Sequence, residues 1–367
     1  MPLSAAALSA AALPAQAPSA TAGGPERPAA HVDATAEVRG LLAAYAERHG
    51  VPGLSCAVYV AGRPTVALGL GLADVENDVA AAPTTVYRLA SISKSLTALA
   101  AVRLAADGRL DLDADVHELL PEWPKKPWPV TTRQLLGHLG GVRHYRLGEA
   151  EVTDHYPDQR AALERFAADP LMHRPGSKFL YSTFGFNLAG AVVEQAGGMR
   201  LAEFVRTQLA EPVGCTSVQD DDVRRVVRGR ARGYVRVGEE LRNSRLMDSS
   251  YKLAGGGFCS SAVDLAKFGD AVLAGRVVPD DWIERMWTSG TLPEGGATGY
   301  GLGFAVGKLG GDGPLAELRA ISHSGAQAQV STYWLLLPNE RVTVVVLCNL
   351  EGLKLEAITK RIARTVL

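Results

Sequence analysis

The 367-residue chain has few cysteines, few aromatic residues and almost no net charge. Its four cysteines lie far apart and form no Cys-x-x-Cys pair, which argues against a disulfide scaffold and a cysteine zinc site. Each cysteine is in an apolar stretch and is predicted to be a small buried residue. With 39 acidic side chains against 38 Lys and Arg, the net charge of −1 provides no field that would attract a nucleic acid.

Several motifs of cofactor-dependent proteins are also missing. The chain has no His-Glu-x-x-His, no clustered histidines and carboxylates, and no phosphate loop ending in Gly-Lys-Ser or Gly-Lys-Thr. The Gly-x-Ser-x-Gly elbow of α/β-hydrolases is absent as well. Outside the alanine-rich start, no apolar run reaches the roughly 18 residues that a membrane-spanning helix needs. The sequence therefore predicts no metal, no cofactor and no membrane span.

Residues 1–35 differ from the rest of the chain because Ala, Pro, Ser and Gly dominate them. Residues 3–13 resemble the apolar part of a signal peptide, and Ala15-Gln16-Ala17 resembles its cleavage box. The usual charged region is missing and Pro18 would follow the cut, so a disordered tail is the alternative. On this pattern we expect the protein to be periplasmic or secreted.

Hydrophobic periodicity predicts strands near both ends of the chain. A helix is expected over residues 36–49, with Thr35 as its N-cap and Gly50 as its end. A last helix is expected over residues 355–366. The predicted strands are residues 54–60, 65–72, 301–306, 330–337 and 342–347.

Few strand signals occur between residues 105 and 255. The pattern therefore predicts an α+β fold, in which residues 36–104 and 256–367 build an antiparallel sheet from both termini. Residues 105–255 are expected to form an inserted, mainly helical domain.

The segment Ser91-Ile92-Ser93-Lys94 has residue types suited to nucleophilic chemistry, and a periodic helical run follows it. If Ser91 begins the helix, Lys94 lies one turn further on the same face, so its amine can reach the serine hydroxyl. Serine becomes a strong nucleophile when a base takes its proton, and a partly desolvated lysine can lose its charge and act as that base. The alternative is that Ser91 is an N-cap and Lys94 a solvated helix residue.

The spacing by itself is weak evidence, because Ser249 and Lys252 show it too. That second pair leads into Gly255-Gly256-Gly257, which forms helices poorly.

Two further segments support the assignment of Ser91. Tyr181 follows a turn and precedes a predicted helix, where a phenol with a pKa lowered by a nearby ammonium would share or relay the serine proton. Near the C-terminus, Ser322-His323-Ser324-Gly325-Ala326 precedes an edge-like strand, where small residues let a substrate backbone lie alongside. Each signal is weak alone: Tyr181 could be a packing residue, and His138-Leu139-Gly140 repeats the second pattern.

Taken together and in this order, the three segments resemble the serine β-lactamase and penicillin-binding protein superfamily. Landmarks at residues 87–91, 135–142 and 254–258 are similar to its class C branch, which also contains esterases and D-amino-acid peptidases. Within it, runs around Ser91, His138, Tyr181 and Ser249 are most similar to the mitochondrial serine β-lactamase-like proteins, which form filaments. The resemblance covers about residues 36–367. It implies a sheet of about five antiparallel strands flanked by helices, a helical domain, and a cleft between them.

The resemblance also implies roles for individual residues. Ser91 would be acylated, Lys94 would be the principal base, and Tyr181 would assist and protonate the leaving group. The backbone N–H groups of Ser91 and Ala326 would form the oxyanion hole. Substrate contacts would come from the remaining positions of the pattern, Thr183, Asn187, His323, Ser324 and Gly325.

Two positions depart from the β-lactamase pattern. Thr183 stands where many relatives have an asparagine that holds the substrate amide, although Asn187 follows one helical turn later. His323 replaces a lysine that helps β-lactamases bind the substrate carboxylate, and an ordinary histidine is mostly neutral at pH 7. Both changes favour peptides or esters over β-lactams.

The leading hypothesis is a serine hydrolase that acts through an acyl-enzyme on an amide or ester of a small molecule or peptide. The alternatives are a catalytically weak scaffold that forms a homo-oligomer or filament or binds a partner, and a lipid- or cell-wall-binding module. Substrate choice is expected to depend on two loops of the cleft wall, residues 148–158 and 288–299.

Overall fold

A seven-stranded antiparallel sheet is the centre of the computed structural model, which describes residues 31–367. The strand order β3-β2-β1-β12-β11-β10-β9 places strands from both ends of the chain side by side. The two ends join where β1 pairs with β12 along its whole length, with Leu54 opposite Cys348 and Val60 opposite Val342. The predicted α+β fold with a sheet made from both termini is confirmed.

The strands and helices follow in chain order. The strands are β1 Gly53–Val60, β2 Arg63–Asp74, β3 Val79–Ala80, β4 Val86–Arg88, β5 Gln219–Asp220, β6 Tyr234–Val237, β7 Glu240–Asn243, β8 Phe258–Ser261, β9 Ala305–Lys308, β10 Arg319–Gln327, β11 Val330–Leu337 and β12 Val342–Cys348. The helices are α1 His31–His49, α2 Ile92–Ala106, α3 Val116–Leu119, α4 Thr132–Leu136, α5 Gln159–Ala162, α6 Thr183–Gly197, α7 Leu201–Phe204, α8 Leu253–Gly256, α9 Ala262–Leu273, α10 Asp280–Met286 and α11 Glu356–Val366.

Helices cover both faces of the sheet, which explains the unbroken apolar runs of its strands. In β12, Val344 and Val346 belong to the core shared with α1 and α11, whereas Val345 and Leu347 belong to the larger core that includes α2 and α9. Successive side chains of a strand point to opposite faces, so a strand buried on both sides is apolar at most positions.

The resemblance implied about five strands, and the sheet has seven. Five are long and central, while β3 and β9, with two and four residues, are short strands at the two edges. A two-residue run such as β3 carries too little alternation to be recognised in a sequence, whereas β9 overlaps the strand predicted for residues 301–306.

Two predicted boundaries are wrong. The first helix begins at His31 and not at residue 36, and the hydroxyl of Thr35 donates to the backbone oxygen of Thr65 instead of capping the helix. The strand predicted for residues 301–306 begins at Ala305, because Gly303 has a φ of 75° and its N–H donates to the carbonyl of Leu136. The signal-like residues 1–30 lie outside the described part of the chain.

Residues 105–255 contain helices α3 to α7 and parts of α2 and α8, together with the hairpin of β6 and β7. The division into a sheet domain and an inserted helical domain stays a prediction. All four cysteines are buried, as predicted, and all four are free thiols. No helix within residues 31–367 combines the length and apolar character required to cross a membrane.

Candidate active site

Ser91 stands at the junction between the short strand β4 and the N-terminus of α2. The residue before it, Ala90, has a φ of 49°, a left-handed conformation that is uncommon for a residue with a Cβ and that often marks functional sites. Ser91 is the N-cap position of α2 but makes no capping hydrogen bond with its side chain. The hydroxyl is therefore available for other contacts, and the N-cap alternative is wrong.

Lys94 lies one turn into α2, and its side chain is completely buried. Its Nζ donates to Ser91 Oγ at 3.1 Å and to the carbonyl of Gly255 at 2.7 Å. Burial is the main cause that lowers the pKa of Lys94 well below its usual value, and the positive charge of Lys252 lowers it further. This shift favours the neutral amine, which can take a proton from Ser91.

Tyr181 lies beside this pair, and Lys94 Nζ is 4.8 Å from the centre of its ring. Burial raises the pKa of Tyr181 to about 12, although hydrogen bonding with Ser91 lowers it. The expectation that a nearby ammonium lowers this pKa is therefore wrong, because desolvation of the phenolate dominates. Tyr181 is protonated at neutral pH and can act as a hydrogen-bond donor, which leaves Lys94 as the better base.

His323 faces the same region from strand β10. Its Nδ1 is 2.6 Å from the carbonyl oxygen of Ser324, which can only accept, so Nδ1 carries the proton. Its Nε2 therefore accepts from the hydroxyl of Tyr300 at 2.8 Å. Burial, followed by the charge of Lys94, lowers the pKa of His323 to about 3. The imidazole is neutral at pH 7, as the sequence analysis expected.

The part of β10 that faces the site has one open edge. In the described structure, β9 pairs with Arg319 to Ser322 only, while β11 continues along β10 as far as Gln327. The exposed residues Ser324 and Ala326 lie in this open half. An extended acyl chain could add there as a further strand, because an unpaired edge offers backbone hydrogen-bonding groups.

Gly325 keeps β10 close to the turn that contains the serine. A Cβ on Gly325 would stand 2.3 Å from the carbonyl oxygen of Leu89 and 2.1 Å from Thr332 Oγ1. The Leu89 carbonyl cannot move without shifting the turn before Ser91. The same carbonyl oxygen also accepts from Thr332 Oγ1 at 2.9 Å. We therefore expect Gly325→Ala to lower the free energy of unfolding by about 1–3 kcal/mol and to reduce acylation of Ser91. Urea unfolding and labelling rates measure both effects.

Gly307→Ala is the matched control for this substitution. Gly307 lies on the neighbouring strand β9, and nothing stands within 4 Å of a Cβ placed on it. The control is expected to change the free energy of unfolding by less than about 0.5 kcal/mol. If the two variants were equally stable, a steric role of Gly325 would be wrong.

A cavity of about 590 Å³ opens in front of Ser91. Most of the predicted site residues line it, namely Ser91, Tyr181, Thr183, His323, Ser324 and Ala326. Lys94 and Gly325 lie directly behind this lining, buried against the serine and its turn. Of the two predicted loops, residues 148–158 contribute Ala150 and Glu151, whereas the described lining includes nothing from residues 288–299.

Asn187 does not reach the cavity, so its assignment as a substrate contact is wrong. Its side chain is fully buried, and its amide Nδ2 donates to the carbonyl oxygen of Tyr251 at 2.8 Å. Asn187 lies one helical turn after Thr183 in α6, but the cavity is at the beginning of that helix. The side chain joins α6 to the segment before α8 and has a structural role.

Sequence reasoning missed several residues of the site. Tyr300 holds His323, and His144 lines the cavity while its Nδ1 accepts from the N–H of Thr183 at 3.1 Å. His138, noted only as a repeat of another pattern, packs against Tyr181 with ring centres 4.3 Å apart and ring planes tilted by 43°. The run from His138 to Tyr145 was part of the family resemblance, and this was the available signal for both histidines.

The second Ser-x-x-Lys pair has the spacing without the chemistry. Ser249 is buried, and its hydroxyl has no hydrogen-bond partner within the described residues. Lys252 Nζ donates to Ala150 O at 3.0 Å and contacts Met247 Sδ at 3.3 Å. Ser249 therefore has neither an activating base nor access to the cavity, whereas Lys252 lines the cavity.

Similarity to known proteins extends over nearly all of the described chain. The Beta-lactamase family model matches residues 38–366. A curated human relative, the mitochondrial serine beta-lactamase-like protein LACTB, is 30% identical, with 89% of this chain and 78% of that protein covered.

Two solved structures show similar folds. The octameric penicillin-binding protein homologue from Pyrococcus abyssi is 26% identical and superposes with a TM-score of 0.77, covering 90% of this chain and 77% of its own. The D-amino acid amidase from Ochrobactrum anthropi has a TM-score of 0.78 and covers 91% of this chain and 98% of its own. Its identity is 21%, so this likeness concerns the fold alone.

Proposed function

The chain belongs to the Beta-lactamase family, and we propose on that basis that it is a serine hydrolase in which Ser91 forms an acyl-enzyme with an amide or ester substrate. The observation that carries the proposal is the 3.1 Å contact between Ser91 Oγ and the fully buried Lys94 Nζ. A buried lysine without a carboxylate partner is costly to the fold, and general-base chemistry gives it a use.

In the proposed first step, neutral Lys94 takes the proton of Ser91 as the hydroxyl oxygen attacks the substrate carbonyl. The Gly255 carbonyl, which accepts from Lys94 Nζ at 2.7 Å, stabilises the ammonium that forms and keeps it beside the serine. The oxyanion would be held by the backbone N–H groups of Ser91, next to the N-terminus of α2, and of Ala326. Losing one such donor typically lowers the rate by about 100-fold.

Departure of the leaving group requires a proton. Tyr181 is the proposed donor because it is protonated at neutral pH, with a pKa raised to about 12, and lines the cavity next to Ser91. Lys94 would then pass the proton that it took from Ser91 to Tyr181, which restores the phenol. A water activated by the same lysine would then hydrolyse the acyl-enzyme.

The experiment that tests this proposal is intact-protein mass spectrometry after treatment with a fluorophosphonate. The expected result is a single adduct that peptide mapping places on Ser91. Because some serine–lysine enzymes resist this reagent, 4-nitrophenyl butyrate hydrolysis is measured in parallel. A folded protein that gives neither an adduct nor Ser91-dependent hydrolysis would contradict the proposal.

We expect weak or no β-lactamase activity. His323 is neutral at pH 7, since its pKa is lowered to about 3, so it lacks the charge that the lysine of β-lactamases offers to the substrate carboxylate. A charge-assisted hydrogen bond of this kind is worth roughly 10- to 100-fold in kcat/KM. Nitrocefin turnover should therefore be at least about 10-fold slower than ester turnover in kcat/KM. Rapid nitrocefin hydrolysis that Ser91→Ala abolishes would contradict this prediction.

Oligomerisation and export stay proposals. The octameric assembly of the Pyrococcus abyssi homologue supports the first, and light scattering of the purified protein measures it. Periplasmic or secreted location rests on the signal-like pattern of residues 1–30 and is tested by mass spectrometry of the mature N-terminus.

A further inference from the structure

A second buried lysine, Lys252, forms part of the cavity wall, and the proposed acylation chemistry does not use it. Its side chain is 3% exposed, and the residue lines the same cavity as Ser91. It follows β7 and immediately precedes α8, so it belongs to a different element from Lys94.

The ammonium of Lys252 has no carboxylate partner among the described residues. Nζ donates to the carbonyl of Ala150 at 3.0 Å and contacts Met247 Sδ at 3.3 Å, which occupies two of its three N–H bonds. The rings of Tyr145 and Tyr251 lie 5.7 and 5.5 Å from Nζ. One donor remains for a group inside the cavity.

Other charges around Lys252 are already engaged. Arg88 pairs with Asp221 at 2.5 Å, and Glu151, which also lines the cavity, pairs with Arg245. Burial, with a contribution from Arg88, lowers the pKa of Lys252 to about 7, while Glu151 acts in the opposite direction. Bringing an anion to this ammonium would restore its full charge.

Lys252 is placed at one particular end of the open β10 edge. A Cβ on Gly256 would stand 3.2 Å from Gln327 Oε1 and 3.6 Å from Lys252 Cδ, so the lysine stem lies near the Gln327 end. The opposite end contains His323 and Tyr300, which are joined by a hydrogen bond and are neutral at pH 7. A substrate that follows the edge therefore meets a neutral end and a cationic end.

We propose that Lys252 is a specificity residue that binds a carboxylate carried by the substrate at the Gln327 end of the cavity. This inference rests on the proposed serine hydrolase function and narrows its substrates to acylated compounds with a carboxylate on one side of the scissile bond. A charge-assisted hydrogen bond in this low-dielectric wall accounts for the preference.

A purely structural role is the competing explanation. The bond from Lys252 to Ala150 also anchors the loop that follows Tyr145, so its loss would disturb the cavity for every ligand. A specificity role differs because it changes the discrimination between charged and neutral ligands, whatever happens to the absolute affinity.

The test measures binding in the Ser91→Ala background, where no turnover occurs. Three stable anilides are titrated by calorimetry at about pH 6, below the pKa of Lys252 of about 7. Glutaryl-4-nitroanilide carries its carboxylate on the acyl side, 4-(pentanoylamino)benzoate carries it on the leaving side, and pentanoyl-4-nitroanilide is neutral. We expect one of the two anions to bind about 10-fold or more tightly than the neutral anilide. Which of them does so identifies the side of the bond.

Adding Lys252→Met should remove this preference. Because Glu151→Gln also lowers the pKa of Lys252, this variant and its parent are compared at about pH 5, where the lysine stays charged and loss of the competing negative charge should increase the preference. Equal affinities for the three anilides in the Ser91→Ala protein would overturn the proposal. So would a preference that survives Lys252→Met, or an equal weakening of all three ligands. If Lys252→Met does not fold, a reduced preference in Glu151→Gln overturns the proposal on its own.

The two proposals fail in different ways. Loss of the serine hydrolase function would appear in the wild type as a missing adduct and missing turnover. Loss of the specificity role would appear in Ser91→Ala as missing charge discrimination. The calorimetry depends on no catalytic step, so it reports on Lys252 in either case.

Discussion

Replacing Ser91 with alanine is expected to abolish the fluorophosphonate adduct and to lower ester turnover by at least about 1,000-fold. The reason is the loss of the hydroxyl that accepts from Lys94 Nζ at the cavity wall. Ser91 Oγ makes no capping bond, so the fold loses little with it. Intact mass after labelling and initial rates with 4-nitrophenyl butyrate measure the two effects.

Ser249→Ala is the matched control because it removes a serine with the same spacing to a lysine. Ser249 is buried and lacks a hydrogen-bond partner, so its hydroxyl takes no part in the site. This variant should retain both the adduct and the turnover. An adduct that persists in Ser91→Ala and disappears in Ser249→Ala would reverse the assignment of the nucleophile.

Lys94→Met is expected to lower kcat/KM by about 100- to 10,000-fold, which is the usual contribution of a general base. Methionine has nearly the same length and suits the apolar surroundings, so the loss falls on the proton transfer and on the bond to Gly255 O. Lys354→Met, which changes an exposed lysine distant from the cavity, serves as the control. Turnover by Lys94→Met within 10-fold of the wild type would exclude Lys94 as the principal base.

The same variant gives a pH test of the protonation state of Lys94. Burial lowers the pKa of Lys94 well below 10.5 in the folded protein, while the unfolded lysine keeps its usual pKa. Between these two values the unfolded chain binds one more proton, so stability rises with pH. Within that window, the free energy of unfolding of the wild type should therefore rise relative to that of Lys94→Met by about 1.4 kcal/mol per pH unit. Urea unfolding measures both values. A constant difference from pH 7 to pH 9 would mean that Lys94 is charged in the fold.

Local patterns in the sequence were sufficient for most of the scaffold. Nearly unbroken apolar runs identified β1, β11 and β12, since burial on both faces favours apolar residues, and alternation identified the half-exposed β2. The helix after Ser91 was also predictable from local sequence, because its apolar residues recur at helical spacing. The Ser-x-x-Lys spacing corresponds to one turn of that helix. The short edge strand β3 escaped prediction, since two residues contain no usable period.

The sequence by itself determined that strands from both ends meet in one sheet and that Ser91 and Lys94 share one face of a helix. The order of the motifs along the chain also indicated Tyr181 and His323 as their neighbours in the site. Tertiary structure decided the chemistry. It lowered the pKa of Lys94 and raised that of Tyr181, because a pKa depends on burial and on charges that are distant in sequence. It turned Asn187 away from the cavity and brought Lys252 into its wall. Spacing along a chain fixes which face a residue occupies, whereas only the packing of separate elements fixes what that face meets.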